Sequence, residues 1–199
     1  MEQATSSLDL IERIKRGDRD AFTPLFEKFR PRLAVLINYR MGPRLRSALE
    51  VDDILQETFL QAYRQFDHFA YRSPGSFFRW LSSIAEHALV DAARYEGRDK
   101  RDAGARVPLR SESHPSGLEL VDTKTPSRLL TEREAVLRLM QKLDALPEQY
   151  REAIILAKVE GLTTQEMAEK LGKTRQATAL LLHRALKQFR QVQEATQSR

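Results

Sequence analysis

Cysteine is absent from the 199-residue chain, which excludes a disulfide framework, a thiolate zinc site and a cysteine nucleophile, and fits a reducing compartment. Long apolar runs are absent too. The N-terminus, MEQATSSLDLIERIKRGD, has no signal-peptide core, and no later stretch reaches the ~20 apolar residues that span a bilayer. The expectation is a soluble, cytoplasmic protein with no membrane insertion. Histidine is scarce: His68, His87, His114 and His183 are scattered, and only His87 and Asp91, one helical turn apart, have a spacing that brings two ligands to one ion. A Gly-rich phosphate loop, a nucleophile elbow and a catalytic triad are all missing. Composition therefore predicts no catalyst, no metal and no cofactor. One enzymatic reading stands against that, a metal-dependent nucleic-acid enzyme built around His87, which chelation would expose.

Strand-like alternation is lacking as well, and helical periodicity takes its place, so the fold class expected is all-α. Leu8, Leu10, Ile11 and Ile14 mark a first helix, stopped by Gly17. Ala21, Phe22, Leu25, Phe26 and Phe29 mark a second, which Pro31 is expected to break or bend before Leu33, Leu36, Ile37 and Met41 continue the stripe. Asp52 and Asp53 then precede the apolar stripe Ile54, Leu55, Thr58, Phe59, Ala62, Tyr63 and Phe66. Phe77, Phe78, Trp80, Leu81, Ile84, Ala85, Ala88, Leu89 and Ala92 form a further helix. Between about 97 and 131 the apolar period vanishes and Gly, Pro, Ser, Asp and Arg dominate. A structureless connection of that length argues for two small helical domains, residues 1–97 and 132–199, joined by a flexible linker over 98–131.

Residues Thr163 to Arg190, TTQEMAEKLGKTRQATALLLHRALKQFR, read as a helix-turn-helix. Thr163 and Glu166 have capping-box spacing, Gly172 sits where a left-handed residue ends a helix, and Thr174 is placed to cap the next one. On that second helix Thr178, Leu181, Leu182, Ala185 and Phe189 share one face, while Gln176, Ala179, His183, Lys187 and Arg190 fall opposite. A helical hairpin closing a bundle shares this pattern, and charge separates the two. Lys170, Lys173, Arg175, Arg184, Lys187 and Arg190 occur between Lys170 and Gln193 with no acidic residue among them. Phosphate attraction needs that one-sided excess, and a formal charge of +5 agrees with it.

Two further constellations carry chemistry. Tyr71, Phe77, Phe78 and Trp80 are interleaved with Arg72 and Arg79, a mixture suited to single-stranded nucleic acid, where bases stack and phosphates pair. Core packing explains about half of these aromatics equally well, and Tyr71 is the least core-like. Asp52, Asp53, Gln56 and Glu57 form an acidic patch that a basic partner can dock on; capping explains the first two alone.

In their order and spacing, GDRDAFTPLFEKFRPRL, VDDILQETFLQAYRQFDHF, FFRWLSSIAEHALVDAARYEGR and the LPEQYREAIILAKVEG segment with the helix-turn-helix resemble bacterial RNA polymerase sigma factors of the extracytoplasmic-function type. The resemblance runs from about Leu8 to Arg190. It implies core RNA polymerase as a partner, held by Asp52, Asp53, Gln56, Glu57 and Phe59. It implies promoter DNA, both duplex and single-stranded, as the ligand. Tyr71, Arg72 and Ser73 match the loop that captures a flipped base of the proximal element, and Trp80, His87 and Arg94 the face that holds the opened strand. Arg175, Gln176, Ala179, His183, Arg184 and Lys187 match the distal-element surface. An anti-sigma protein is a partner common in the family. One departure stands out: where many members carry Lys-Ser-Arg, this chain has Ala179-Leu180-Leu181. The competing class is a helix-turn-helix repressor or activator that binds duplex DNA without polymerase.

Overall fold

The computed structural model describes residues 6–99 and 126–197, and every regular element among them is helical. The first group contains α1 (Ser7–Lys15), α2 (Phe22–Arg40), the single turn α3 (Pro43–Arg46), α4 (Val51–Gln65) and α5 (Ser76–Asp99). The second contains α6 (Pro126–Asp144), α7 (Glu148–Ile154), a π-helical turn over Ile155–Val159, α8 (Thr164–Leu171) and α9 (Arg175–Gln197). Helix α6 begins inside the stretch read as linker, and proline at a first helical position suits it because that N–H has no intrahelical partner. Residues 100–125 of the expected linker lie outside the described residues.

Helices α2, α4 and α5 pack around Leu25, Phe26, Leu36, Leu55, Phe59, Phe77, Phe78 and Leu81, all buried. Pro31 does not break α2, which runs unbroken from Phe22 to Arg40. The proline faces solvent, while Leu25, Phe26, Leu33, Leu36 and Ile37 on either side are buried. Their packing offsets the ~3 kcal/mol that an interior proline costs. Phe22 and Phe26 meet Phe59, Tyr63 and Phe66 as an aromatic seam between α2 and α4. Thr58, fully buried there, donates its hydroxyl to the Ile54 carbonyl at 2.6 Å, so its burial leaves no polar group unpaired.

In the second group α9 packs on α7 and α8, burying Met140, Leu143, Ile154, Leu156, Met167 and Ala185. The two groups are expected to be free of each other, yet here they touch: α2 lies against α6 and the π-helical turn, and the apolar side chains form one continuous core.

Candidate nucleic-acid interface

The helix-turn-helix forms as its local signals require. Thr163 donates its backbone N–H to the Glu166 carboxylate at 2.7 Å, and Glu166 returns its own N–H to the Thr163 hydroxyl at 3.3 Å. The Thr163 N–H and then its hydroxyl hold the Glu166 carboxyl below the usual glutamate range. Gly172 closes α8 at φ 61°, and the Thr174 hydroxyl accepts from the Ala177 N–H at 3.2 Å to open α9. Thr178 and Ala185 are buried and Leu181, Leu182 and Phe189 half-buried. Arg175, Gln176, Ala179, His183, Arg184, Lys187 and Arg190 are all exposed, so the expected distal-element residues share the outward half of one helix. Further along it His183, Lys187, Arg190, Gln191 and Glu194 line an open groove of about 450 Å³.

The aromatic loop divides as its chemistry suggests. Phe77 and Phe78 are core, at 2% and 0% exposure, whereas Tyr71 and Trp80 are half-buried with part of each ring reaching the surface. Phe69, Phe77 and Phe66 lie 5.0, 5.7 and 6.1 Å from the Trp80 ring and fix its plane. The loop is braced from within. Arg79 donates to the Ser73 hydroxyl at 3.1 Å, the Ser76 N–H donates to the Ser73 carbonyl at 3.0 Å, and Gly75 turns the chain at φ 89°. Arg72 is exposed. His87 and Arg94 are exposed on the same stripe of α5 as Trp80, about 21 Å from end to end at 1.5 Å per residue. Asp91 lies 3.5 Å from Arg94 on that stripe and moderates its charge.

The acidic patch on α4 is only partly open. Asp53 and Gln56 are exposed; Asp53 accepts the Glu50 N–H at 2.9 Å, and half-buried Glu57 accepts from Gln61 at 2.8 Å. Asp52 does not serve as a cap. Its carboxylate pairs with Arg30 of α2 at 2.9 Å and with Arg133 of α6. Phe59 lies beneath the patch: it is 4% exposed and stacks on Phe26 with ring centroids 4.7 Å apart. It holds α4 against α2.

Arg32, Arg40, Glu160 and Gly161, which the sequence did not single out, join the two groups. Arg32 donates to the Val159 carbonyl at 2.6 Å, and its guanidinium lies 3.8 Å from the Phe78 ring centre. A Cβ on Gly161, at φ 72°, would stand 2.9 Å from the end of the Arg32 side chain, so glycine suits both backbone and space. Two turns on, Arg40 reaches Glu160 at 2.5 Å, and Lys170 of α8 takes the other carboxylate oxygen at 2.8 Å. Glu160 is 8% exposed, and the acid in the apolar run AIILAKVEGL is the one trace of this joint in the sequence.

Among the described residues no group of three or more His, Asp, Glu or Cys side chains is placed to hold a metal ion, and no helix is long and apolar enough to cross a membrane. His87 and Asp91 point to solvent.

A family model for ECF sigma factors matches residues 4–195. The chain is 32% identical over 175 residues to the ECF RNA polymerase sigma factor SigD of Mycobacterium tuberculosis (strain H37Rv), covering 87% of this chain and 77% of that protein. It is 30% identical over 167 residues to the ECF RNA polymerase sigma-E factor of Escherichia coli (strain K12), covering 84% and 83%. Among solved structures, CnrH in complex with the cytosolic domain of CnrY aligns with a TM-score of 0.47 at 22% identity, over 94% of this chain and 96% of that one. A match across almost the whole length, together with a helix-turn-helix bearing a one-sided basic face, decides the family: this chain belongs to the ECF sigma factors.

Proposed function

We propose that the chain is a dissociable specificity subunit that directs core RNA polymerase to a subset of promoters and helps open them, acting in the cytoplasm and catalysing nothing itself. Residues 1–97 bind core polymerase and the opened proximal element; residues 132–199 bind the distal element as duplex. The observation that carries this reading is the outward half of α9, where Arg175, Arg184, Lys187 and Arg190 are exposed and no acid lies between Lys170 and Gln193. Asp53, Gln56 and Glu57 supply the polymerase contact, with Phe59 supporting them from below. Asp52 joins that surface only when it leaves Arg133, so polymerase binding and the contact between α4 and α6 compete for one carboxylate. Tyr71 and Trp80 hold bases of the opened strand, and Arg72, His87 and Arg94 follow its backbone. An anti-sigma protein is a further partner, as the resemblance implies.

The test is affinity for purified core polymerase. The double reversal Asp53→Lys/Glu57→Lys is expected to weaken it by about tenfold or more, since like charges at an interface cost several kcal/mol. Unchanged affinity in a folded variant would move the polymerase surface elsewhere.

A further inference from the structure

Leu180 is half exposed, at 50%, in the middle of the basic face of α9. Gln176 lies one turn before it; His183, Arg184 and Lys187 lie one and two turns after it, and all four are exposed. A single exposed leucine is ordinary on a protein surface. This one is set apart by its surroundings. Among the described residues the other exposed large apolar side chains, Leu8, Val90, Leu130 and Leu137, lie on other helices. Leu180 sits in the second turn of the second helix of a helix-turn-helix, and the N-terminal turns of that helix are the ones that meet base edges. Thr178 is removed from readout by its own bonding: it is buried and donates its hydroxyl to the Thr174 carbonyl at 3.0 Å. The groups left facing outward over these turns are Arg175, Gln176, Ala177, Ala179, Leu180 and His183, so a short apolar strip of Ala179 and Leu180 runs between polar side chains.

We propose that Leu180, with Ala179 beside it, is a specificity residue of the distal element and reads the C5-methyl of a thymine in the major groove. The inference rests on the sigma-factor reading above. A leucine side chain has no donor or acceptor, so against a purine edge it strips water from N7 and O6 or N6 and returns nothing. Against cytosine it buries the N4 amino group without a partner. Thymine is the base whose major-groove edge carries an apolar group, and burying a methyl there is favourable. Gln176, one turn away on the same face, is placed to take an adenine through N6 and N7 within about two base pairs, since a helical turn rises 5.4 Å and a base-pair step ~3.4 Å. The apolar residues standing where many family members carry polar ones thus exchange hydrogen-bond readout for methyl readout.

The experiment uses core polymerase with the full chain and a promoter fragment that this holoenzyme selects from a library randomised over the distal element. Each thymine of the selected element is replaced in turn by deoxyuridine, which removes the methyl and nothing else. At one position the wild-type holoenzyme is expected to lose about fourfold in affinity, the scale of one buried methyl group. Leu180→Ala is expected to bind thymine and deoxyuridine equally at that position. The substituted site is exposed and alanine favours helix, so the variant folds, and its circular dichroism checks this. A selected element without thymine, indifference to every deoxyuridine, or an unchanged thymine-to-uridine ratio in Leu180→Ala overturns the proposal. So does a Leu180→Ala variant whose loss is in core affinity with no DNA present, which would make the residue a protein contact. A holoenzyme that selects nothing from the library overturns instead the reading on which the proposal rests.

Discussion

Replacing Glu160 by glutamine tests how the helix-turn-helix is held against the first group of helices. Glutamine keeps the shape of the side chain and removes its charge, so packing is retained while Arg40 and Lys170, at 2.5 and 2.8 Å, lose their shared counter-ion. Breaking a fully buried pair costs about 3–5 kcal/mol, whereas an exposed pair contributes about 0.2–1. The carboxylate lies near the first limit, with its side chain 9% exposed, but the Arg40 and Lys170 side chains keep 27% and 38% and can rehydrate. Rehydration of Arg40 is incomplete, because its Nε is buried with no hydrogen-bond partner. The expected loss is therefore about 2 kcal/mol, which lowers Tm by roughly 4–8 °C in a protein of this size. Urea denaturation at neutral pH measures it, the midpoint shifting at an unchanged m value. The apolar pair Arg40→Met/Glu160→Leu is expected to recover more than half of the loss, since a well-packed apolar pair replaces an ionic one at little cost. A Glu160→Gln unfolding free energy within about 0.5 kcal/mol of wild type would refute the claim that this buried carboxylate joins the two groups.

Two further outcomes are expected. Trp80→Ala keeps core binding but lowers promoter opening roughly tenfold, the effect of losing one stacked base; permanganate reactivity of promoter thymines reads it, and wild-type reactivity would contradict the role. Glu166, whose folded carboxyl lies below its ordinary value, stabilises the start of α8 above about pH 4.3, and that contribution is lost as pH falls through the lowered folded value. Wild type should therefore lose stability on acidification more steeply than Glu166→Gln, and parallel pH profiles would show that the capping box contributes nothing.

The features legible in the sequence are those whose partners lie within a few residues. The Thr163–Glu166 box, the left-handed Gly172 and the Thr174 cap each depend on groups no more than four residues apart. The two faces of α9 follow from the helical period alone. At Pro31 the local cost argues for a break, and the burial of Leu33, Leu36 and Ile37 on the far side outweighs it. Phe59 falls in the apolar stripe with Ile54 and Leu55 by periodicity, and the structure buries it there. The joint between the groups was illegible for a different reason. Arg40 and Glu160 are 120 residues apart and Arg133 and Asp52 are 81 apart, and a charge pair at such separation leaves no local pattern that names its partner, even where a lone acid such as Glu160 stands in an apolar run. The π-helical turn at Ile155–Val159, which delivers the Val159 carbonyl to Arg32, has no composition that distinguishes it from an ordinary apolar helix.

The central claim is tested most directly by multi-round transcription from a promoter library with purified core polymerase, with and without the chain. Promoter-specific transcripts should appear only when the chain is added, from templates sharing a proximal and a distal element at one fixed spacing. A chain that binds duplex DNA tightly in the absence of polymerase, and adds no initiation to core, would contradict the account and favour a repressor or activator.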